Sequence, residues 1–347
     1  MSRPANVAVV GFGNAGRTFH APLVAAGPGL TLHAIVSSRP DEVADAWPGV
    51  RVAPSLEAVL DDPAIDLVVL ATPDALHAAQ AEAALNAGKA VVIDKPFALT
   101  HADAARVSDL ARARGLLLSV FHNRRWDADF LALKAAIADG ALGRVVTVES
   151  RFDRHRPVVR DRWREGPGGG VWLDLGPHLI DQMLVLFGRP LGVTCDLSIQ
   201  REGGLSPDRA RATLRYADGL RVELNAAMVI AAPDLRFAVH GTRASWLKSG
   251  LDVQEDQLKA GTRVGAPGWG VDPAPAILID GETGVRTPAP GPAGDYPAFY
   301  AGVAAALRGE GPNPVPPDEA LAVMEIIDAG LESDRRRAEV QIPAYHS

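Results

Sequence analysis

At 347 residues the chain is too long for one average domain, and two domains are the expectation. A formal net charge of −7 argues against nucleic acid or an anionic membrane as the main partner, while 47% apolar residues suffice for ordinary cores. The single cysteine, Cys195, excludes an internal disulfide and a multi-cysteine metal cluster.

No apolar run approaches the ~18 residues of a membrane span. The N-terminus enters its first strand without a basic-plus-apolar leader, so the cytoplasm is the expected location. That strand is Asn6–Val10, apolar and rich in β-branched residues. Gly11-Phe12-Gly13-Asn14-Ala15-Gly16 follows, spaced G-x-G-x-x-G, and then an Ala-rich helix over Asn14–Ala26. Each glycine has a reason: Gly11 for the tight turn, Gly13 for room beside a pyrophosphate, Gly16 for close helix–strand packing. The helix start adds unpaired N–H groups and a partial positive charge. Placed between a strand and a helix, the triplet predicts dinucleotide binding. Pro22 should kink that helix or end it early.

Strands are expected at Leu30–Val36, Leu67–Ala71, Ala90–Ile93 and Leu116–Phe121, with helices at Ser55–Leu60, Asp74–Ala87 and His101–Arg114. Thr100 and Asp103 resemble a capping box, and Gly88 and Gly115 sit where left-handed caps are common. Such alternation predicts a parallel sheet covered on both faces, with ligands at the carboxyl ends of its strands. Ser37-Ser38-Arg39 follows the second strand, where an NAD-preferring site usually has Asp or Glu. Arg39 suits a 2′-phosphate, which favours NADP over NAD. The rival reading is a solvated arginine.

Thr72 and Pro73 follow the next core strand and suit the cofactor edge of the sheet. His77, in the helix behind them, is read either as a cofactor contact or as a plain polar residue of the first turns. Lys95, directly after an apolar strand in Asp94-Lys95-Pro96, projects into the ligand crevice. A cis Lys95–Pro96 peptide is expected in so deliberate a turn.

From about Leu142 the pattern alternates. Val146, Val148, Ser150 and Phe152 share one face, as do Leu191, Val193, Cys195, Leu197 and Ile199. Leu214-Arg215-Tyr216 and Leu220–Met228 flank a hairpin signal at Asp218-Gly219. Leu235, Phe237 and Val239 continue an antiparallel sheet with one apolar face. Between the first two strands, Leu175, Leu179, Met183 and Leu186 form a helical stripe. Asp174 and His178 share one face of that helix, near its start because of Pro177. They make a candidate proton-transfer pair, or a local contact that only steadies the helix. The preceding loop, with Arg154, His155, Arg156, Arg160, Arg162, Trp163 and Arg164, is basic and suits a rim for cofactor phosphates. Residues 261–294, rich in Gly, Pro and Ala, are expected to form a long surface excursion. Arg335-Arg336-Arg337 reads as an exposed helix end.

Together Gly11–Gly16, Ala71-Thr72-Pro73, Asp94-Lys95-Pro96 and Asp174-x-Gly-x-His178 resemble the glucose–fructose oxidoreductase / inositol dehydrogenase (Gfo/Idh/MocA) family, over nearly the whole chain. Phe121-His122-Asn123-Arg124-Arg125-Trp126-Asp127 and Arg154-His155-Arg156-Pro157 look like its NADP-dependent scyllo-inositol dehydrogenase branch. The resemblance implies an α/β chain: a Rossmann domain over 1–122, then a substrate-binding and oligomerisation domain over 123–347. The second domain would carry a large, mostly antiparallel sheet through which such proteins form dimers or tetramers. It implies hydride transfer between NAD(P) and a cyclic polyol or sugar, without a metal. His178 would take the hydroxyl proton, Lys95 would steady alkoxide charge, and Asp174 would orient both substrate and His178. Asn123, His155 and Tyr296 are weaker candidates for substrate contact. Trp163 and Arg164 would close over the cofactor. A non-catalytic dinucleotide-sensing regulator is the rival, and retention of Lys95 and His178 weighs against it. Another reduction on the same scaffold, of an imine or an enone, would also keep the lysine.

Overall fold

The structure, a computed structural model, describes residues 3–161, 163–232 and 234–343. Its chain divides into two compact units. The first comprises the residues up to Trp126 together with Val253–Gly270 and Asp295–Met324; the second holds Asp127–Asp252, Val271–Gly294 and the remainder from Glu325.

In the first unit six strands form one sheet: β1 (Ala5–Val10), β2 (Leu30–Val36), β3 (Arg51–Ala53), β4 (Leu67–Leu70), β5 (Ala90–Ile93) and β6 (Leu118–Val120). Their order is β3-β2-β1-β4-β5-β6 and every neighbouring pair is parallel. This is the doubly wound Rossmann topology, with its switch point between β1 and β4. All residues of β4 and β5 are buried, as strands covered on both faces must be. The helix His101–Arg114 starts at Thr100, whose Oγ accepts the Asp103 N–H at 3.1 Å, and ends at Gly115 in the left-handed region.

Two details depart from expectation. Pro22 does not end the first helix: a π turn, Gly16–His20, runs into the α-helix Ala21–Ala26, with Pro22 at its second position. In the first turn of that α-helix the missing proline N–H is tolerated. The three-residue strand β3 was too short to announce itself.

The later segments join this unit through polar contacts. Gln254 Nε2 donates to the Trp126 carbonyl at 3.0 Å, and its Oε1 accepts the Tyr296 N–H at 2.7 Å. The Val315 carbonyl accepts the Ser119 hydroxyl at 3.0 Å.

The second unit is built on nine strands: β7 (Val145–Asp153), β8 (Gly192–Ser198), β9 (Arg209–Arg215), β10 (Arg221–Ala227), β11 (Leu235–Gly241), β12 (Ala244–Ser249), β13 (Ala276–Asp280), β14 (Arg286–Ala289) and β15 (Val340–Gln341). The order is β14-β13-β12-β11-β7-β10-β9-β8-β15. One pair, β7 and β10, is parallel and the rest are antiparallel, so the sheet is mixed rather than purely antiparallel.

Val148, Ser150 and Phe152 of β7 are buried beneath the helix Val171–Phe187. The opposite face carries ion pairs, Arg151 with Glu149 at 2.7 Å and Arg211 with Glu223 at 2.6 Å. The stretch 261–294 is not wholly an excursion. Ala276-Ile-Leu-Ile-Asp280 has the apolar run of a strand and extends the sheet as β13, with β14 beside it. Pro288 lies on that outermost strand, where no partner needs its missing N–H. Among the described residues no helix is long and apolar enough to cross a membrane.

Candidate active site

In the first unit the chain leaves β1 at Gly11, whose φ of +99° favours glycine. A Cβ there would lie 2.6 Å from the Ala71 carbonyl oxygen, and one on Gly16 would lie 1.9 Å from the Gly11 oxygen. Both positions exclude any side chain for reasons internal to the fold. Gly13 differs: nothing lies within 4 Å of the Cβ it lacks. Its glycine is not required by packing, and the open space above it faces the switch point. A hollow opens there, lined by Gly11, Phe12, Gly13 and, across it, Ser37, Ser38 and Arg39. Thr72 and Gln80 complete its wall. These residues fit a dinucleotide: a glycine cradle that a Cβ would fill, and a cation at its rim. The Arg39 guanidinium is held by the Phe12 carbonyl at 2.6 Å and by Glu42 at 2.9 Å. Asn14 and Ala15 begin the helix that follows.

Thr72 donates its hydroxyl to Gln80 Oε1 at 2.6 Å. Pro73 precedes the short 3₁₀ turn Asp74–Leu76. His77 is buried, with Nδ1 2.8 Å from the Pro96 carbonyl oxygen and Nε2 3.0 Å from that of Thr72. Lys95 stands two residues beyond β5, is half-buried, and its peptide to Pro96 is cis.

Next to it, the buried Asp94 carboxylate accepts the Lys95 N–H at 2.9 Å. His20, fully buried, brings Nε2 to 3.7 Å from Asp94 and places Nδ1 2.7 Å from the Tyr300 hydroxyl. Burial by itself would raise the Asp94 pKa. The His20 imidazole, with Lys95 and His77 beyond it, outweighs burial and holds the value down to about 2. The Tyr300 hydroxyl, buried and facing that carboxylate, is raised well above its ordinary value. His20 had no local signal in the sequence, since its partners lie 280 and 74 residues away. Asn123 and Tyr296 are both buried, and Tyr296 shares its hydroxyl with Arg124 at 3.5 Å.

In the second unit Asp174 and His178 lie four apart in the helix Val171–Phe187, Asp174 in its first turn. Pro177 is accommodated inside it. His178 is buried and stacks on Phe152, ring centroids 6.3 Å apart. The helix is anchored at both ends of the site. Trp172 Nε1 donates to the Ile327 carbonyl at 3.0 Å. One turn beyond His178, Gln182 Oε1 accepts from Arg236 Nη2 at 2.5 Å. Arg236 is a buried cation, with Nη1 donating to Ser150 at 2.9 Å and Nε 3.3 Å from Asp129. It stacks on Phe237 at 4.0 Å.

The basic loop before the helix is ordered by acidic partners. Arg201 donates to Asp208 at 3.0 Å and to Glu165 at 2.8 Å, and Glu165 also accepts from Arg160 at 2.8 Å. Arg164 Nε lies 3.4 Å from Asp174 and its guanidinium rests 4.2 Å above the Trp163 ring. Carboxylates therefore already occupy two of the arginines expected to form a bare rim. Trp163 and His155 are exposed, and Arg162 lies outside the described residues.

Comparison with known proteins matches two family models along the chain. The family model described as "Oxidoreductase family, NAD-binding Rossmann fold" matches residues 5–122. The one described as "Oxidoreductase family, C-terminal alpha/beta domain" matches residues 134–342. The chain is 48% identical over 342 residues to YdgJ of Escherichia coli, an uncharacterized oxidoreductase, covering 97% of this chain and 99% of that one. It is 36% identical over 342 residues to IolW of Bacillus subtilis, a scyllo-inositol 2-dehydrogenase (NADP(+)), covering 97% and 95%. The solved structure of YPO2259 from Yersinia pestis superposes with a TM-score of 0.95 at 47% identity, covering 100% of this chain and 99% of that one.

Proposed function

The chain belongs to the Gfo/Idh/MocA oxidoreductase family, and from that premise we propose that it moves a hydride between NADP and a cyclic polyol or sugar of the scyllo-inositol type. The observation that supports this most is the hollow at the switch point, where Gly13 leaves open space beside Ser37, Ser38 and Arg39. The absence of an acidic residue at Ser37-Ser38-Arg39 supports a 2′-phosphate, and IolW, an NADP enzyme by name, is a 36% identical relative. Bound nicotinamide supplies the hydride acceptor or donor. Gly11 to Gly16, Thr72 and Pro73 hold the cofactor, with Trp163 and Arg164 over it. His178 accepts the hydroxyl proton at an imidazole nitrogen. The Lys95 ammonium steadies charge developing on the substrate oxygen. Asp174 orients the hydroxyl and the imidazole, and Asn123, His155 and Tyr296 are secondary contacts. The protein works in the cytoplasm as a homodimer or homotetramer, through the nine-stranded sheet.

A panel of inositols, hexoses and their oxidised forms, read by nicotinamide absorbance with NADP and NAD in parallel, tests the proposal. Turnover of an inositol or a hexose with NADP is expected. Arg39→Ala should lower the preference for NADP over NAD about tenfold. Activity confined to acyclic or non-carbinol substrates would remove the polyol reading.

A further inference from the structure

The first turn after the glycine loop is the π turn Gly16–His20, and it ends on a fully buried histidine. Such turns carry an extra residue and are frequent at functional sites. The His20 ring lies among aromatic neighbours, its centroid 4.5 Å from that of Phe121 and 6.2 Å from that of Tyr300. Polar groups reach both of its nitrogens. The Tyr300 hydroxyl is 2.7 Å from Nδ1. Nε2 has no hydrogen-bond partner among the described residues, yet Asp94 Oδ1 stands 3.7 Å away. That is longer than a hydrogen bond and within ion-pair range. A lone pair on Nε2 would face a carboxylate. The hydroxyl can donate to Nδ1 or accept from it, so nothing forces that arrangement. Nε2 therefore turns an N–H toward Asp94 whatever the charge on the ring. The same Oδ1 accepts the Lys95 N–H at 2.9 Å. One carboxylate oxygen thus serves both the His20 ring and the main chain of Lys95.

We propose that His20 is a positioning residue for Lys95: its ring steadies the Asp94 carboxylate, and that carboxylate fixes the Lys95 main chain two residues beyond β5. The catalytic half rests on the role given to Lys95 above; the placement of the lysine amide does not. Away from water the contact is stronger than it would be at the surface, and the Asp94 carboxylate keeps its charge there despite burial. The other groups that act on Asp94 are Lys95 and His77, with Tyr300 behind His20. Neither replaces the ring. Lys95 is the group being placed, and the His77 nitrogens lie against the carbonyl oxygens of Pro96 and Thr72. The π turn begins at Gly16, so the segment that serves the glycine cradle at its start serves the lysine at its end.

The test uses the whole protein, deuterated and ¹⁵N-labelled. Amide exchange reports the placement without any substrate. In His20→Phe the Lys95 amide should exchange at least about tenfold faster, while Val91, Val92 and Ile93 of β5 keep their rates. An unchanged Lys95 rate overturns the proposal. So does faster exchange along all of β5, which marks plain loss of packing. If His20→Phe does not fold, Tyr300→Phe takes its place. Without the hydroxyl that orients the ring, the Lys95 amide should exchange at least about threefold faster, and no change overturns the proposal. Steady-state kinetics with NADP and the polyol or sugar turned over fastest test the catalytic half. His20→Phe should lower kcat about tenfold while KM for NADP moves less than about threefold. In an Asp94→Asn background the same change should cost less than about twofold, because His20 acts through that carboxylate. An unchanged kcat in the single variant, or an undiminished loss in the Asp94→Asn background, overturns the positioning role. A wild type that oxidises no polyol or sugar counts against the role given to Lys95 alone, because the exchange rates still decide the placement.

Discussion

The sheet of the first unit and the sheet of the second hide their apolar surface by different rules. Strands β4 and β5 are buried at every position, and no charged side chain interrupts them. Strand β7 alternates, with Val148 and Phe152 inside and Glu149 and Arg151 paired on the other face. In the first, the residues expected to meet the cofactor, Gly11, Thr72 and Lys95, stand at or just beyond the ends of the strands, with the buried His20–Tyr300 pair behind them. In the second, polar chemistry penetrates the core: Arg236 and Arg201 are both buried guanidinium groups with carboxylate partners. The first unit thus builds a site from main-chain geometry at strand ends, while the second builds one from a helix held in place by buried charge.

The sharpest way to break this comparison is to ask whether chemistry needs both. Lys95→Ala and His178→Ala should each lower turnover by at least about a thousandfold, with NADP binding, followed by fluorescence, retained. Near wild-type rates in both variants would end the assignment of roles.

Next come the glycines of the first unit. Gly16→Ala places a Cβ 1.9 Å from a carbonyl oxygen and should cost about 3 kcal/mol or more in thermal or denaturant unfolding. Gly13→Ala, with open space around it, should melt like the wild type yet bind NADP at least about tenfold more weakly. Equal behaviour of the two would show that Gly13 serves packing and not a ligand.

In the second unit Arg201→Met strands Asp208 and Glu165 without their shared cation, and about 3 kcal/mol of stability should go with it. Denaturant midpoints measure this, and an effect under about 0.5 kcal/mol would place that network with ordinary surface pairs.

The smallest effect separates the units by sign. Asp94 in the first has its pKa lowered from 3.8 to about 2, so its carboxylate contributes about 2 kcal/mol above pH ~4 that is lost as pH falls toward 2. Asp153 in the second is raised by burial, against the opposing pull of Arg151, so acid favours its folded form instead. Acid titrations of Asp94→Asn and Asp153→Asn should therefore shift the stability curve in opposite directions.

What was legible in the sequence follows the same line. The strand–glycine–helix start, the buried runs of β4 and β5, and the Thr100 cap are local, and each is set by residues within a few positions of one another. The helix bearing Asp174 and His178 was also readable, because its stripe and Pro177 are local. What holds that helix was not. Arg236 reaches Ser150 across 86 residues and Gln182 across 54, and Arg201 reaches Glu165 across 36. His20 and Tyr300 are 280 apart. No periodicity encodes such pairs. In the basic loop the neutralising carboxylates were near in sequence, Glu165 within the loop and Asp174 just beyond it, but which arginine each one holds is set by folding. Strands β13 and β14 were hidden by the glycines and prolines that surround them.

One of those hidden strands has a wider consequence. A sheet normally leaves a row of unpaired amides and carbonyls at each margin, and such a margin can recruit a stray strand from another molecule. Here one margin is β14, where Pro288 interrupts the row of donors, and the other is β15, only two residues long. Neither offers an uninterrupted template, so this nine-stranded sheet is guarded against growing sideways into aggregates.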